Sequence, residues 1–136
     1  MRDDDWQLVR DLCQQIDLPA LVEDSIVRIR AELPDYDSVP IADHRAAVEL
    51  QQRNALEALG RRGTYASRQL AQAADLARAR AGHGVSIDTL LSAYHLGNIV
   101  LWEKLTDGLD GIAALRTVPE LGLLLLRSLH DVSIAL

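Results

Sequence analysis

The feature that most restricts the fold is the helical spacing of apolar side chains in residues 87–109. Apolar residues recur there every three or four positions, as on the face of an α-helix that packs against other helices. Ser86 stands at the N-cap position, and Val85 with Leu90 is placed to form a hydrophobic staple across it. The segment therefore predicts a long, capped, central helix. Its inward stripe is predicted to consist of Ile87, Leu90, Leu91, Tyr94, Asn98, Leu101, Trp102, Leu105 and Leu109.

The same spacing, interrupted by turn-forming residues, predicts five further helices. They cover residues 4–16, 19–33, 40–59, 65–81 and 117–136. The last helix is expected to begin at Thr117, because Thr117 and Glu120 match a capping box. Since no segment matches a strand, we predict an all-α fold, a single compact bundle of about six helices over residues 1–136. The residues of the third helix predicted to face inward are Ile41, Val48, Ala55 and Leu59.

Composition and motifs argue against several classes of function. A net charge of −6 does not suit a domain whose task is to hold nucleic acid. The acidic N-terminus MRDDDW is unlike a secretory signal, and no apolar run is long enough to span a bilayer, so a cytoplasmic protein with no membrane contact is expected. The four histidines and the single Cys13 lie in no zinc, nucleophile or phosphate-binding motif. We therefore predict no catalytic residue, no metal site and no cofactor.

Three residue types have structural interpretations at this stage. Cys13 follows the apolar spacing of the first helix, so it is interpreted as a buried hydrophobe and not a reactive thiol. His44 and His95 are expected to be partly buried and hydrogen-bonded. A local basic strip is interpreted as the solvated face of an Ala-rich helix. That strip consists of Arg61, Arg62, Arg68, Arg78 and Arg80.

The long helix also carries the candidate ligand pocket. Its polar and aromatic residues are interpreted first as packing anchors whose OH and NH groups need partners. The alternative is a pocket between helices that these side chains line. The candidate pocket residues are Tyr94, His95, Asn98 and Trp102.

The last helix supplies a candidate dimer interface, because it is apolar on more than one side. Leu121, Leu124 and Val132 mark one stripe, and a second set of apolar residues lies elsewhere around the helix. A helix of this kind is either central in its fold or meets another subunit. The candidate interface residues are Leu123, Leu126, His130 and Ile134.

The stretch RARAGHGVSIDTLLSAYHLGNIVLWEKL, residues 78–105, resembles a pattern in the N-terminal domains of many actinobacterial regulators of the PucR/CdaR type. Those domains are similar to the N-terminal domain of RsbT co-antagonist proteins. The resemblance implies a helical, globin-related domain without haem, which dimerises and passes an input to a downstream effector. His95 departs from the pattern, which usually has Arg there. The most specific positions are Ala93, Tyr94, Leu96, Gly97, Leu101, Trp102 and Glu103.

The leading interpretation is a non-catalytic signal-input and homodimerisation domain of a transcriptional regulator, which acts by helix packing. Such a domain would not bind nucleic acid directly, and its signal is an undefined small molecule or protein. The alternative is a small-molecule or haem-binding sensor, with His44 or His95 as the axial haem ligand. Because the sequence stops at Leu136 inside an amphipathic pattern, we expect it to be the N-terminal part of a longer regulator.

Overall fold

The computed structural model describes the backbone of residues 2–107 and 111–136, and the side chains of the same residues except 111–117. Within these ranges the chain forms six α-helices and no strand, which confirms the all-α prediction. A short 3-10 helix, Pro34–Ser38, joins the second helix to the third. The helices are α1 (Asp3–Gln15), α2 (Leu18–Glu32), α3 (Ile41–Gly60), α4 (Ser67–Gly82), α5 (Ile87–Asp107) and α6 (Gly111–Ala135).

Local side-chain contacts explain where two of the central helices begin. Asp17 accepts a hydrogen bond from the backbone N–H of Ala20 at 3.1 Å and caps α2. The Oγ of Ser86 accepts one from the backbone N–H of Thr89 at 3.2 Å and caps α5, as the sequence predicts. These contacts satisfy amides that the first turn of a helix leaves unpaired.

Helix α5 is the central element, because it contributes to both apolar clusters of the core. It packs against α2 and α6, while α3 packs against α1 and α2. Leu90 and Ala93 of α5 belong to one cluster, and Val100, Leu101 and Leu105 to the other. The predicted stripe residue Leu109 lies outside the described residues.

A buried polar contact joins α2, α3 and α5 where the two clusters meet. The amide of Gln52 in α3 donates to the Oγ of Ser25 at 3.1 Å and to the carbonyl of Gly97 at 3.0 Å. Gln52 and Ser25 are buried. A Cβ added at Gly97 would lie only 3.2 Å from the Gln52 amide nitrogen. Gly97 therefore permits the close approach that this contact requires.

The corner after α3 positions the middle of α6. Arg62 and Gly63 have positive φ angles of 60° and 86°, and the N–H of Gly63 donates to the carbonyl of Ala58 at 2.7 Å. A Cβ at Gly63 would lie 2.9 Å from the Cδ2 of Leu124. Glycine is thus needed both for the left-handed backbone and for the approach of α6.

Three expectations about inward positions and boundaries are wrong. Ile41 and Ile87 are 47% and 52% exposed, and each is the first residue of its helix, where packing is less complete than in the middle. The last helix begins at Gly111 and not at Thr117, so Pro119 lies inside it. A capping box marks a helix start only where the preceding backbone is not helical, and here that backbone is already helical.

Candidate functional site

The specific positions of the sequence motif on α5 have structural roles in the bundle. Leu101 is fully buried, and Gly97 receives the Gln52 amide. Glu103 forms a salt bridge with Arg28 of α2 at 3.2 Å, between half-exposed side chains. These motif residues therefore pack α5 against α2 and α3.

Asn98 and Trp102 lie on the side of α5 that faces α6. The Nδ2 of Asn98 donates to the backbone carbonyl of Leu125 at 3.3 Å. The indole ring of Trp102 packs against the apolar cluster that contains Leu121 and Leu125. Its Nε1–H is buried and has no hydrogen-bond partner among the described residues. The Nε1 atom lies next to Gly122, where an added Cβ would be 3.6 Å away.

These residues line an open groove between α5 and α6, with a volume of about 220 Å³. Three of the four predicted pocket residues therefore come together, and the signal that found them was their polar or aromatic character along α5. Sequence reasoning missed the α6 side of the groove, where Gly122 leaves the room. The lining residues are His95, Asn98, Ile99, Trp102, Gly122, Leu125, Leu126 and Leu129.

Tyr94, the fourth predicted pocket residue, does not line this groove. It lies at a separate cavity of about 50 Å³ that also involves α3 and α4. Burial raises the pKa of its hydroxyl above the usual range, and the hydroxyl is hydrogen-bonded to Gln51. A network of amides surrounds it, in which Asn54 donates to Gln72 at 2.9 Å and Gln69 donates to Asn54 at 3.3 Å. Tyr94 is thus the packing anchor that periodicity predicted, with its OH partnered.

The two apolar stripes of α6 have different environments. Leu121, Leu124 and Val132 are buried in the bundle. The four residues predicted as a dimer interface are exposed on the other side, and we call Leu123, Leu126, His130 and Ile134 the α6 face. Leu123, Leu126 and Ile134 are 58%, 59% and 72% exposed. Leu126 belongs both to the α6 face and to the rim of the groove.

The two histidines singled out in the sequence differ in environment. His95 is exposed at the groove, so the expectation that it is partly buried is wrong. His44 is buried, as expected, and stacks near the ring of Tyr36, with centroids 4.7 Å apart. The Nδ1 of His44 accepts a hydrogen bond from the Nε of Arg30 at 3.2 Å, so in the neutral ring Nε2 carries the proton. Burial, with the nearby charges of Arg30, Arg80 and Arg45, lowers the pKa of His44 to about 4. His44 is therefore neutral at physiological pH.

The basic strip is not one solvated face, because Arg80 is buried. Its guanidinium contacts the backbone carbonyl of Asp43 at 3.4 Å, the Nδ1 of His83 at 3.5 Å and the hydroxyl of Tyr36. This corrects the expectation for Arg80, which fills the space between α3 and α4 at the end of the Ala-rich helix. The other four arginines are exposed, as predicted: Arg61, Arg62, Arg68 and Arg78.

The thiol of Cys13 is not activated. Burial raises the pKa of Cys13 to about 11, so the thiol is protonated at neutral pH, and it packs against an apolar cluster. Within residues 2–107 and 118–136, no group of three His, Cys, Asp or Glu side chains is arranged to hold a metal ion. Among the described helices, none has both the length and the apolar character needed to cross a membrane.

Fold and surface together define an all-α domain with an apolar groove and an exposed apolar helix face. The chain belongs to the family described as the RsbT co-antagonist protein rsbRD N-terminal domain, whose family model matches residues 19–136. This membership identifies it as a regulatory signalling domain, in agreement with the resemblance seen in residues 78–105. No curated protein and no solved structure gives a significant match.

Proposed function

We propose that this domain receives a signal and transmits it to a downstream effector by changing how two copies pack through the α6 face. The exposed apolar side chains of that face carry the proposal. Single exposed apolar residues are ordinary on a protein surface. Here, however, Leu123, Leu126 and Ile134 share one side of a helix whose other side is buried in the core. Covering them with a second copy removes this apolar surface from water.

The charges beside the α6 face are compatible with a two-fold arrangement. Arg127 and Asp131 lie one helical turn apart, and neither forms an ion pair within the part of the chain that the structure describes. In an antiparallel contact between two α6 helices, Arg127 of each copy faces Asp131 of the other. Such exposed pairs contribute little affinity but favour one orientation.

Family membership supports the regulatory part of the proposal. The resemblance of residues 78–105 to the PucR/CdaR type supports a transcriptional regulator as the protein in which the domain works. In that setting a change in the packing of α6 is what the domain passes to its effector. No catalytic step is part of this proposal.

The test compares the molar mass of the unaltered domain and of two glutamate variants by size-exclusion chromatography with light scattering. Leu123→Glu places a charge in the α6 face and should give a folded monomer. Val27→Glu is the matched control, because Val27 is 67% exposed on α2, away from that face. It should leave the dimer intact. A dimer that survives Leu123→Glu, or that Val27→Glu disperses equally, contradicts the proposal.

The groove between α5 and α6 favours a second candidate function, a small-molecule sensor. Its volume of about 220 Å³ is below the ~300–1,000 Å³ of sites for drug-sized ligands, so it suits a small ligand better than haem. His44 is already engaged by Arg30 and packed near Tyr36. We accordingly expect no shift of the Soret band when haemin is mixed with the domain. A shift that is lost in His44→Gln or His95→Gln would contradict this expectation.

A further inference from the structure

The groove between α5 and α6 combines an apolar lining with one unsatisfied donor. Most of the lining comes from Ile99, Leu125, Leu126, Leu129 and the indole of Trp102. The Nε1–H of Trp102 is buried without a partner within the described residues. Buried polar groups in folded proteins are nearly always hydrogen-bonded, so each exception calls for a cause. A bound ligand with a hydrogen-bond acceptor would satisfy this N–H.

The size of the groove limits the ligand to about one ring. An engineered apolar cavity of about 150 Å³ in another protein holds benzene. The groove here is about 220 Å³, which leaves room for one ring with a short substituent. The substituent has a place to go, because Gly122 has no side chain where a Cβ would stand 3.6 Å from the indole nitrogen.

The chemistry of the lining specifies a neutral ligand with an acceptor. None of the described residues that line the groove is Asp, Glu, Lys or Arg, and His95 is exposed, so an ammonium would lose hydration without a counter-charge and a carboxylate would face no cation but the solvent-exposed imidazole. Indole N–H is a donor only, so the ligand must supply a carbonyl or similar acceptor. A leucine side chain from a second copy would fill the apolar space but leave the N–H unpaired.

We propose that the groove between α5 and α6 binds a small neutral aromatic or alicyclic molecule whose carbonyl-type oxygen accepts the hydrogen bond of Trp102 Nε1–H. This site supplies the signal for the proposed function. Only the effect of the ligand on dimerisation rests on the proposed function. That effect passes through Leu126, because Leu126 both lines the groove and belongs to the α6 face. Binding itself is independent of whether the domain dimerises.

The test uses two probes of the same shape, acetophenone and α-methylstyrene, which differ by a carbonyl oxygen in place of a methylene group. Binding is followed by ¹H–¹⁵N spectra of the indole N–H signals, and Trp102→Phe assigns the signal of Trp102 apart from that of Trp6. Acetophenone should move the Trp102 signal downfield and bind about tenfold more tightly than α-methylstyrene. Equal affinities, or no movement of the signal, would overturn the proposal.

Two variants complete the test. Gly122→Ala fills the space beside the indole nitrogen at an ordinary contact distance of 3.6 Å, so it should stay folded and lose at least tenfold in acetophenone affinity. Undiminished binding by this variant would overturn the site. Leu123→Glu lies outside the groove lining and should bind acetophenone as the unaltered domain does. Binding only by Leu123→Glu would show that a second copy fills the groove, and would also overturn the ligand proposal.

The same variants separate failure of this site from failure of the proposed function. An unaltered domain that is monomeric but binds acetophenone with the downfield shift contradicts dimerisation and supports the ligand site. A dimer that Leu123→Glu disperses and that binds neither probe supports the α6 face and overturns the ligand site.

Discussion

The contact between Gln52 and Gly97 can be tested by a matched pair of glycine substitutions. Both Gly97 and Gly122 lie inside helices, where alanine is favoured over glycine by about 1 kcal/mol. A Cβ at Gly122 meets its nearest neighbour at 3.6 Å, so Gly122→Ala should realise this gain. For a chain of this length, that raises the melting temperature by about 3 to 5 °C.

Gly97→Ala should have the opposite sign, because the new Cβ would stand 3.2 Å from the Gln52 amide nitrogen. Displacing this amide weakens two buried hydrogen bonds, to Ser25 and to the Gly97 carbonyl, each worth about 1 kcal/mol. The loss of about 2 kcal/mol exceeds the helical gain, which leaves a net destabilisation of about 1 kcal/mol. The melting temperature should then fall by about 3 to 5 °C.

Urea unfolding of the two single variants, followed by circular dichroism, measures both free energies. Repeating Gly97→Ala in a Gln52→Ala background removes the amide that the new methyl group meets. In that background the substitution should become stabilising by about 1 kcal/mol, as a coupled pair requires. If Gly97→Ala stabilises the otherwise unaltered domain as much as Gly122→Ala does, the argument that Gln52 requires glycine there is refuted.

Three further predictions concern pH, the corner before α4 and the α6 face. Burial lowers the pKa of His44 from 6.5 to about 4, so as the pH falls the unfolded chain binds a proton before the folded chain does. The contribution of neutral His44 to the free energy of unfolding is complete above pH 6.5. On the order of 3 kcal/mol of it is lost towards pH 4. Urea unfolding at pH 7 and pH 5 should show about 2 kcal/mol of this loss, and His44→Gln should lack that part of it. Gly63→Ala should lower the free energy of unfolding by about 1 to 3 kcal/mol, because the position has φ +86° and a Cβ would lie 2.9 Å from Leu124; an unchanged urea midpoint would contradict that. Arg127→Asp should weaken the dimer by placing like charges opposite Asp131, and the added change Asp131→Arg should restore it; a double variant weaker than the single one would exclude the antiparallel pairing.

The helices and the division of α6 into two sides were predictable, because both depend on local periodicity. Leu121, Leu124 and Val132 share the spacing of a buried stripe, and Leu123 and Leu126 fall outside it. The physical cause is the 3.6-residue period, which assigns each position to a side of the helix before any tertiary contact is known.

The groove was only partly predictable, because it depends on which residues of two helices meet. Asn98 and Trp102 were found as polar and aromatic members of the inward stripe of α5, but nothing in the sequence places Gly122 opposite the indole nitrogen. Tyr94 was grouped with them because it lies one turn earlier, yet it points to a different cavity.

Arg80 and the start of α6 show the limit of local rules. An arginine in an Ala-rich helix is predicted to be exposed to solvent. Arg80, however, is in the last turn of α4 and is buried where α3 and α4 meet. A capping pattern at residues 117–120 is worth about 1 kcal/mol, which continuation of α6 from Gly111 overrides. Tertiary packing decides the burial of Arg80.

The most direct test of the account is the mass of the unaltered domain in solution. One chain has a mass of 15.0 kDa, so two copies joined through the α6 face have about twice that mass. Sedimentation equilibrium at tens of micromolar should give the doubled mass for the unaltered domain and a single-chain mass for Leu126→Glu. A mass of one chain for the unaltered domain at that concentration would contradict the claim that it works by packing of two α6 helices.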